Sequence, residues 1–218
     1  MPEPDHDMTA RLLATLATQK EPDLAEAVEA AITNDGFRRQ LLDGLASKND
    51  VFRYNSFRVL QEASELQPAS LYPHWDEIVL LLDSPNAYHR STAVRLLANL
   101  TQADRDRKFE SLRDRYFDLL DDEKIITARY LVGVVSTIVQ SYPNLAPHIT
   151  DELLSVDRTH HAEGRKDLLK GDIIEAFDTF FTQVPVRTKV LSFVEAQQQS
   201  SSPRTRKAAR AFLEKHSQ

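Results

Sequence analysis

Leu80-Leu81-Leu82-Asp83-Ser84-Pro85-Asn86-Ala87-Tyr88-His89-Arg90-Ser91-Thr92-Ala93-Val94-Arg95-Leu96-Leu97-Ala98-Asn99-Leu100 is an apolar run, a turn and a second apolar run. Ser84-Pro85-Asn86 stops one helix and caps the next, because Pro cannot extend a helix and Asn satisfies free backbone amides at a helix start. Beyond the turn, Ala, Val and Leu recur at three- and four-residue spacing, the signature of one buried helix face. The segment therefore reads as two helices joined by a tight turn.

The same grammar extends in both directions. Breakers at Pro22, Asp35-Gly36, Asn49-Asp50, Pro68, Asp121-Asp122, Pro143-Asn144, Pro185 and Ser202-Pro203 divide the chain into helix-sized intervals. They predict about twelve helices in six pairs. The expected pairs are 8–19 with 22–33, 36–47 with 50–67, 70–83 with 86–101, 104–120 with 122–142, 145–157 with 160–183, and 186–200 with 203–216. Only five glycines occur in 218 residues, which argues against a fold of tight hairpins. The chain has no cysteine, so neither disulfides nor thiolate chemistry enter.

The pairs repeat. Leu71-Tyr72-Pro73-His74 returns as Leu145-Ala146-Pro147-His148, an offset of 74, and Asp83 and Asp157 keep that offset. Arg53-x4-Arg58-Val-Leu returns as Arg90-x4-Arg95-Leu-Leu at half of it, 37. Weaker copies are Lys124-x4-Arg129-Tyr-Leu, Arg165-x4-Lys170 and Arg206-x3-Arg210-Ala-Phe-Leu. A period of this size marks stacked helix pairs, which bury between them a core that no pair could bury alone.

These residues resemble the HEAT family of repeats, over about residues 36–216. Pro73, Pro147 and Pro185 resemble the proline that the family carries in its outer helix. The resemblance implies an all-α fold, a right-handed α-solenoid of about six antiparallel helix pairs (HEAT/armadillo-like), forming one domain over 1–218. Within it, an acidic cap covers about 1–35, the clearest repeats 36–183, and a basic cap 186–216. Gly133, in the apolar helix 125–138, is expected to allow close helix approach.

Charge is uneven. The net charge is −6, and residues 1–35 account for all of it. Met1 to Thr9 is polar and acidic rather than a leader, and the longest apolar stretch, 131–139, is too short for a membrane span. A cytoplasmic protein without membrane contact is expected.

Two basic rows emerge from the repeat register. Arg53, Arg90, Lys124, Arg165 and Arg206 form the first; Arg58, Arg95, Arg129, Lys170 and Arg210 form the second. Such residues in the family commonly pair with acidic or Asn residues at the turns, here Asp50, Asn86, Asp121 and Asp122. Ligand contact falls mostly to the second row, which the resemblance places on a concave face. The last helix carries Arg204, Arg206, Lys207, Arg210 and Lys215 against Glu214 and reads first as a solvated cap.

Other candidates read as structural. His74 and His148 occupy equivalent positions, which points to packing. His160-His161 with Glu163 lacks metal-ligand spacing. Trp75-Asp76 brings to mind HEAT-like alkyl-purine DNA glycosylases, but Trp75 falls in an outer helix and suits packing. Tyr54, Tyr88, Tyr116 and Tyr130 have phases that look core-like or turn-like. No phosphate loop or nucleophile motif is present. The expected function is a non-enzymatic scaffold without cofactor or metal, binding a protein or peptide through Arg58, Arg95, Arg129, Lys170 and Arg210. The alternative is nucleic-acid binding, with base excision as its extreme. A chromophore-lyase-like role is a weaker third.

Overall fold

The computed structural model describes residues 4–216, with side chains from Asp7 onward; Met1–Glu3 of the acidic start and Ser217–Gln218 lie outside it. The fold is all-α, with no strand among the described residues. The α-helices are α1 (Pro4–Thr18), α2 (Ala25–Thr33), α3 (Asp35–Gly44), α4 (Asp50–Leu66), α5 (Pro68–Leu71), α6 (Trp75–Leu80), α7 (Ala87–Leu100), α8 (Lys108–Phe117), α9 (Ile125–Ser141), α10 (Ala146–Leu154), α11 (Glu163–Phe180), α12 (Arg187–Ala196) and α13 (Pro203–His216). None is long and apolar enough to cross a membrane among the described residues.

Sequence-predicted intervals and helices agree closely except at 70–83. That interval breaks into α5, a 3-10 turn at Tyr72–His74, α6 and a second 3-10 turn at Leu81–Asp83. Pro73 has no amide to donate and its ring crowds the preceding turn, so the helix cannot run straight through.

The longer helices form a row. α4 packs on α7, α7 on α9, α9 on α11, and α11 on α13. Shorter helices back this row: α3 on α4, α6 on α7, α10 on α9 and α12 on α13. Between them lies a continuous apolar core that includes Leu41, Leu60, Leu97, Tyr116, Val135, Ile138 and Phe177, all fully enclosed. The Tyr116 hydroxyl reaches the buried Val94 carbonyl at 2.8 Å, which satisfies the only polar atom of that side chain.

Polar ties set the register of each interface in the row. Asn99 donates to the Ser64 hydroxyl at 2.8 Å between α7 and α4. Ser91 and Thr127 hydroxyls meet at 3.2 Å between α7 and α9. Arg129 meets Asp172 between α9 and α11 at 2.6 Å, and the Thr205 hydroxyl donates to the Asp167 carbonyl between α13 and α11 at 2.6 Å. A buried polar group satisfied in only one alignment penalises every other alignment.

One turn design recurs. In Ser47-Lys48-Asn49-x3-Arg53 and Ser84-Pro85-Asn86-x3-Arg90, the Asn oxygen accepts backbone amides of the first helical turn. The Ser hydroxyl accepts the amide of that Asn, at 3.1 and 3.2 Å. The Arg then reaches back to the Ser carbonyl, at 2.7 Å in both. Ser200-Ser201-Ser202-x3-Arg206 repeats the arginine contact at 2.6 Å, and Arg38 makes its counterpart to Ala31 and Ile32 carbonyls at 2.8 Å. These cations therefore cover the free carbonyls that end the preceding helix.

This geometry corrects the first basic row. Lys124 is itself the N-cap of α9 and Arg165 is exposed, so neither makes the back-reaching contact. Lys166 is the member from α11, bonding the Asp157 carbonyl at 3.1 Å. In the fourth turn Asp122 takes the serine's place and accepts the Lys124 amide at 2.7 Å. The buried Arg90 from the preceding turn then grips Asp122 through two nitrogens, at 2.5 and 2.9 Å.

Gly133 is also corrected. A Cβ there would meet nothing within 4 Å. Close approach occurs instead at Gly171, where a Cβ would stand 2.7 Å from Thr205 Oγ1, and at Gly44, where it would strike Ser56 and Phe52.

Candidate functional site

Three clefts follow one another along the row. The first, about 660 Å³, lies over α4 and α7 and is closed by Tyr130 of α9. The second, about 420 Å³, lies between α9 and α11, with Tyr130 shared. The third, about 500 Å³, lies between α11 and α13, with Glu175 shared.

The five residues of the second basic row do not form a single stripe. Measured from the helix N-caps Asn49 and Asn86, Arg58 and Arg95 are nine residues in, on matched turns. Arg129 is only five in from Lys124, and Gly133 holds the position matched to Arg95. Arg129 is paired with Asp172, which also holds Arg204 at 2.7 Å. Lys170 is buried and pairs with Asp157 at 2.6 Å. Arg210 is exposed on α13 and lines none of these three clefts.

Arg58 and Arg95 share the first cleft and have no ion pair among the described residues. Each rests on aromatic rings instead. The Arg95 guanidinium lies 4.5 Å from the Phe57 ring centre and 4.9 Å from that of Tyr130. Arg58 lies 5.8 Å from the ring centre of Tyr54, one helical turn before it. Cation–π contact holds a guanidinium in place while leaving its N–H edges available, so these two cations are positioned but unneutralised. Tyr54 and Tyr130 are 54% and 38% exposed, large values for rings lining a cleft. Tyr88 packs edge-on against Phe57, and burial pushes its hydroxyl up to about 12, so it stays protonated and donates to the Arg53 carbonyl at 3.1 Å.

The floor and far rim are of opposite character. Gln61 is buried; its amide donates to Glu65, and its oxygen is enclosed without a partner. Glu62 and Glu65 line the same cleft and are exposed. The cleft thus has a cationic aromatic end and an anionic end.

The tyrosines divide differently from their sequence phases. Tyr116 is fully buried, as a core phase requires, but Tyr54, Tyr88 and Tyr130 line the cleft. Trp75 is buried beside Tyr72, in a packing role. His74 and His148 each face an aspartate of an earlier short helix: Asp35 at 3.0 Å and Asp114 at 3.8 Å. His160 meets Asp121 at 2.6 Å and His161 the Leu120 carbonyl at 3.2 Å, anchoring the segment before α11. On α13, Lys215 and His216 both hold Asp178.

No protein-family model matches the chain, and no curated protein matches it in sequence. Among solved structures it is similar to an engineered protein determined by the Northeast Structural Genomics Consortium, with a TM-score of 0.51 at 18% identity, over 98% of this chain and 92% of that one. That likeness concerns the all-helical fold alone.

Proposed function

We propose that the protein is a non-enzymatic HEAT-type scaffold that binds a segment of a partner protein along the face built by α4, α7, α9, α11 and α13. In this reading the helix pairs stack as a right-handed α-solenoid, with that face concave. Support for the stacking comes from the chain-order packing of the long helices and from the repeated Ser-x-Asn-x3-Arg turn. The observation that carries the binding reading is the pair Arg58 and Arg95: cations held on aromatic rings in an open cleft, without carboxylate partners.

Nucleic-acid binding is the competing reading, and the charge pattern weighs against it. Glu62 and Glu65 line the first cleft with no salt bridge among the described residues and would repel a continuous phosphate backbone. On α13, Arg204 and Lys215 are already paired with carboxylates.

Selection from a random peptide display library tests the reading. Peptides enriched on the wild-type chain should lose at least about tenfold in affinity for Arg58→Glu/Arg95→Glu, because two attractive charges become repulsive. The variant's helical circular dichroism and melting temperature should stay close to wild type. Failure to enrich any peptide, or equal binding by the variant, would sink the reading. So would a single-stranded oligonucleotide that binds more tightly than every peptide at low salt.

A further inference from the structure

The first cleft has a charge order that specifies its ligand further. Tyr54, Arg58, Glu62 and Glu65 lie along one side of α4, all lining the same cleft. Arg58 and Glu62 are four residues apart, yet no salt bridge joins them. The arginine leans back over Tyr54, following the tilt of helical side chains toward the N-terminus, and an Arg placed before a Glu is the weaker order for such a pair. Glu62 is therefore left as open as Arg58. Along the α4 backbone, Glu62 stands one helical turn beyond Arg58, about 6 Å, and Glu65 two turns beyond it, about 10 Å.

An extended peptide advances about 3.3 Å per residue and places residues two apart on the same side. One helical turn on α4 thus matches two residues of such a peptide. Resting on the peptide-binding reading above, we infer that the cleft takes an extended segment of a partner protein with an acidic residue and a basic residue two positions apart. The acidic side chain lies against Arg58 and Arg95, between the rings of Tyr54 and Tyr130. The basic side chain lies against Glu62 and Glu65. The intervening residue points away from α4. A purely acidic segment would meet Glu62 and Glu65 unfavourably, and a purely basic one would meet the arginines.

Degenerate pools of labelled nonapeptides test this by fluorescence anisotropy on the full chain. One pool fixes Glu-x-Lys at its centre, one fixes only Glu, one only Lys, one Glu-x-Glu, and one is fully random. The Glu-x-Lys pool should bind at least tenfold more tightly than any other. With Glu62→Lys/Glu65→Lys the preference should move to the Glu-x-Glu pool, a gain of binding that a misfolded variant could not produce. If peptides from the random pool bind and are lost with Arg58→Glu/Arg95→Glu, but the Glu-x-Lys pool has no advantage, this inference is overturned while the peptide-binding reading stands. If no pool binds, both fall. If the charge reversal on α4 leaves the preference unchanged, the assignment of Glu62 and Glu65 is overturned.

Discussion

Arg90 joins two turns at once. It covers the Ser84 carbonyl that ends one helix and grips Asp122, which accepts the amide of Lys124 at the start of the next long helix. Both side chains are almost wholly enclosed. Burial opposes the charge on Asp122, but the guanidinium and the Lys124 amide outweigh it and hold the carboxyl below its ordinary range. Arg90→Met should cost about 3–5 kcal/mol in urea unfolding, since it strands a buried carboxylate, and Asp122→Leu added to it should recover most of that loss. Asp104 is a second such hub. It accepts from the Tyr142 and Tyr72 hydroxyls at 2.6 and 2.7 Å and from the Phe109 and Lys108 amides at 2.7 and 2.9 Å. Burial raises its pKa, yet these donors outweigh burial and depress it. A depressed folded pKa means stability that is present above the unfolded value and lost as pH falls through the folded one. Asp104→Asn should therefore be less stable than wild type by about 1–3 kcal/mol at pH 7, with the gap closing below about pH 4, read by chemical denaturation across pH. Of these roles, the arginine turn was open to sequence reading, because all its parts lie within seven residues. The meeting of Phe57, Arg95 and Tyr130 was not, because it depends on how three separate helices rotate against each other.

Helix limits follow from short-range chemistry, and so Asn49, Asn86 and the prolines mark them in the sequence. Helix contacts follow from rotation about each axis, which a repeat period of 37 or 38 residues leaves open by a turn. That is why Arg129 and Lys170 fell into one sequence row with Arg95 but occupy different surroundings. It is also why the tight glycine is Gly171 rather than Gly133. Gly171→Ala should cost about 1–3 kcal/mol, because Thr205 is buried and bonded to the Asp167 carbonyl and cannot easily yield. Gly133→Ala should instead raise stability by up to about 1 kcal/mol, the ordinary gain of Ala over Gly inside a helix with open space above it. Paired thermal melts of the two variants check the assignment.

At the scale of the molecule, α9 contacts chiefly α7 and α11, and α11 chiefly α9 and α13, whereas α4 at the head of the row packs more on α1, α2 and α3 than on α7. Such a row has interior members covered on both sides and end members covered on one. Hydrogen exchange should find the slowest amides in α7 and α9 and the fastest in α1 and α13. Uniform protection would instead mark a single cooperative unit. The clefts belong to this scale too. Each is lined from adjacent long helices, so the residues that meet in the first, such as Arg58 and Arg95, come from units about 37 residues apart. Of the second basic row, Arg58, Arg95 and Arg129 line these clefts and Lys170 and Arg210 do not, and sequence repetition could not say which of the cations are already spent on carboxylates.

The recurring turn also bears on how such a chain can change its length. A duplicated block running from Asn49 through Lys48's counterpart Pro85 would begin and end on the same Ser-x-Asn junction, so an added copy would meet its neighbours with caps intact. The block that follows is different. It runs over 86–123 and holds both Arg90 and Asp122, so that buried pair travels with it, while the block beyond begins on Lys124 and depends on this Asp122 to accept its first amide. The chain thus contains one junction that a copied block reproduces and one that ties a block to the particular neighbour before it.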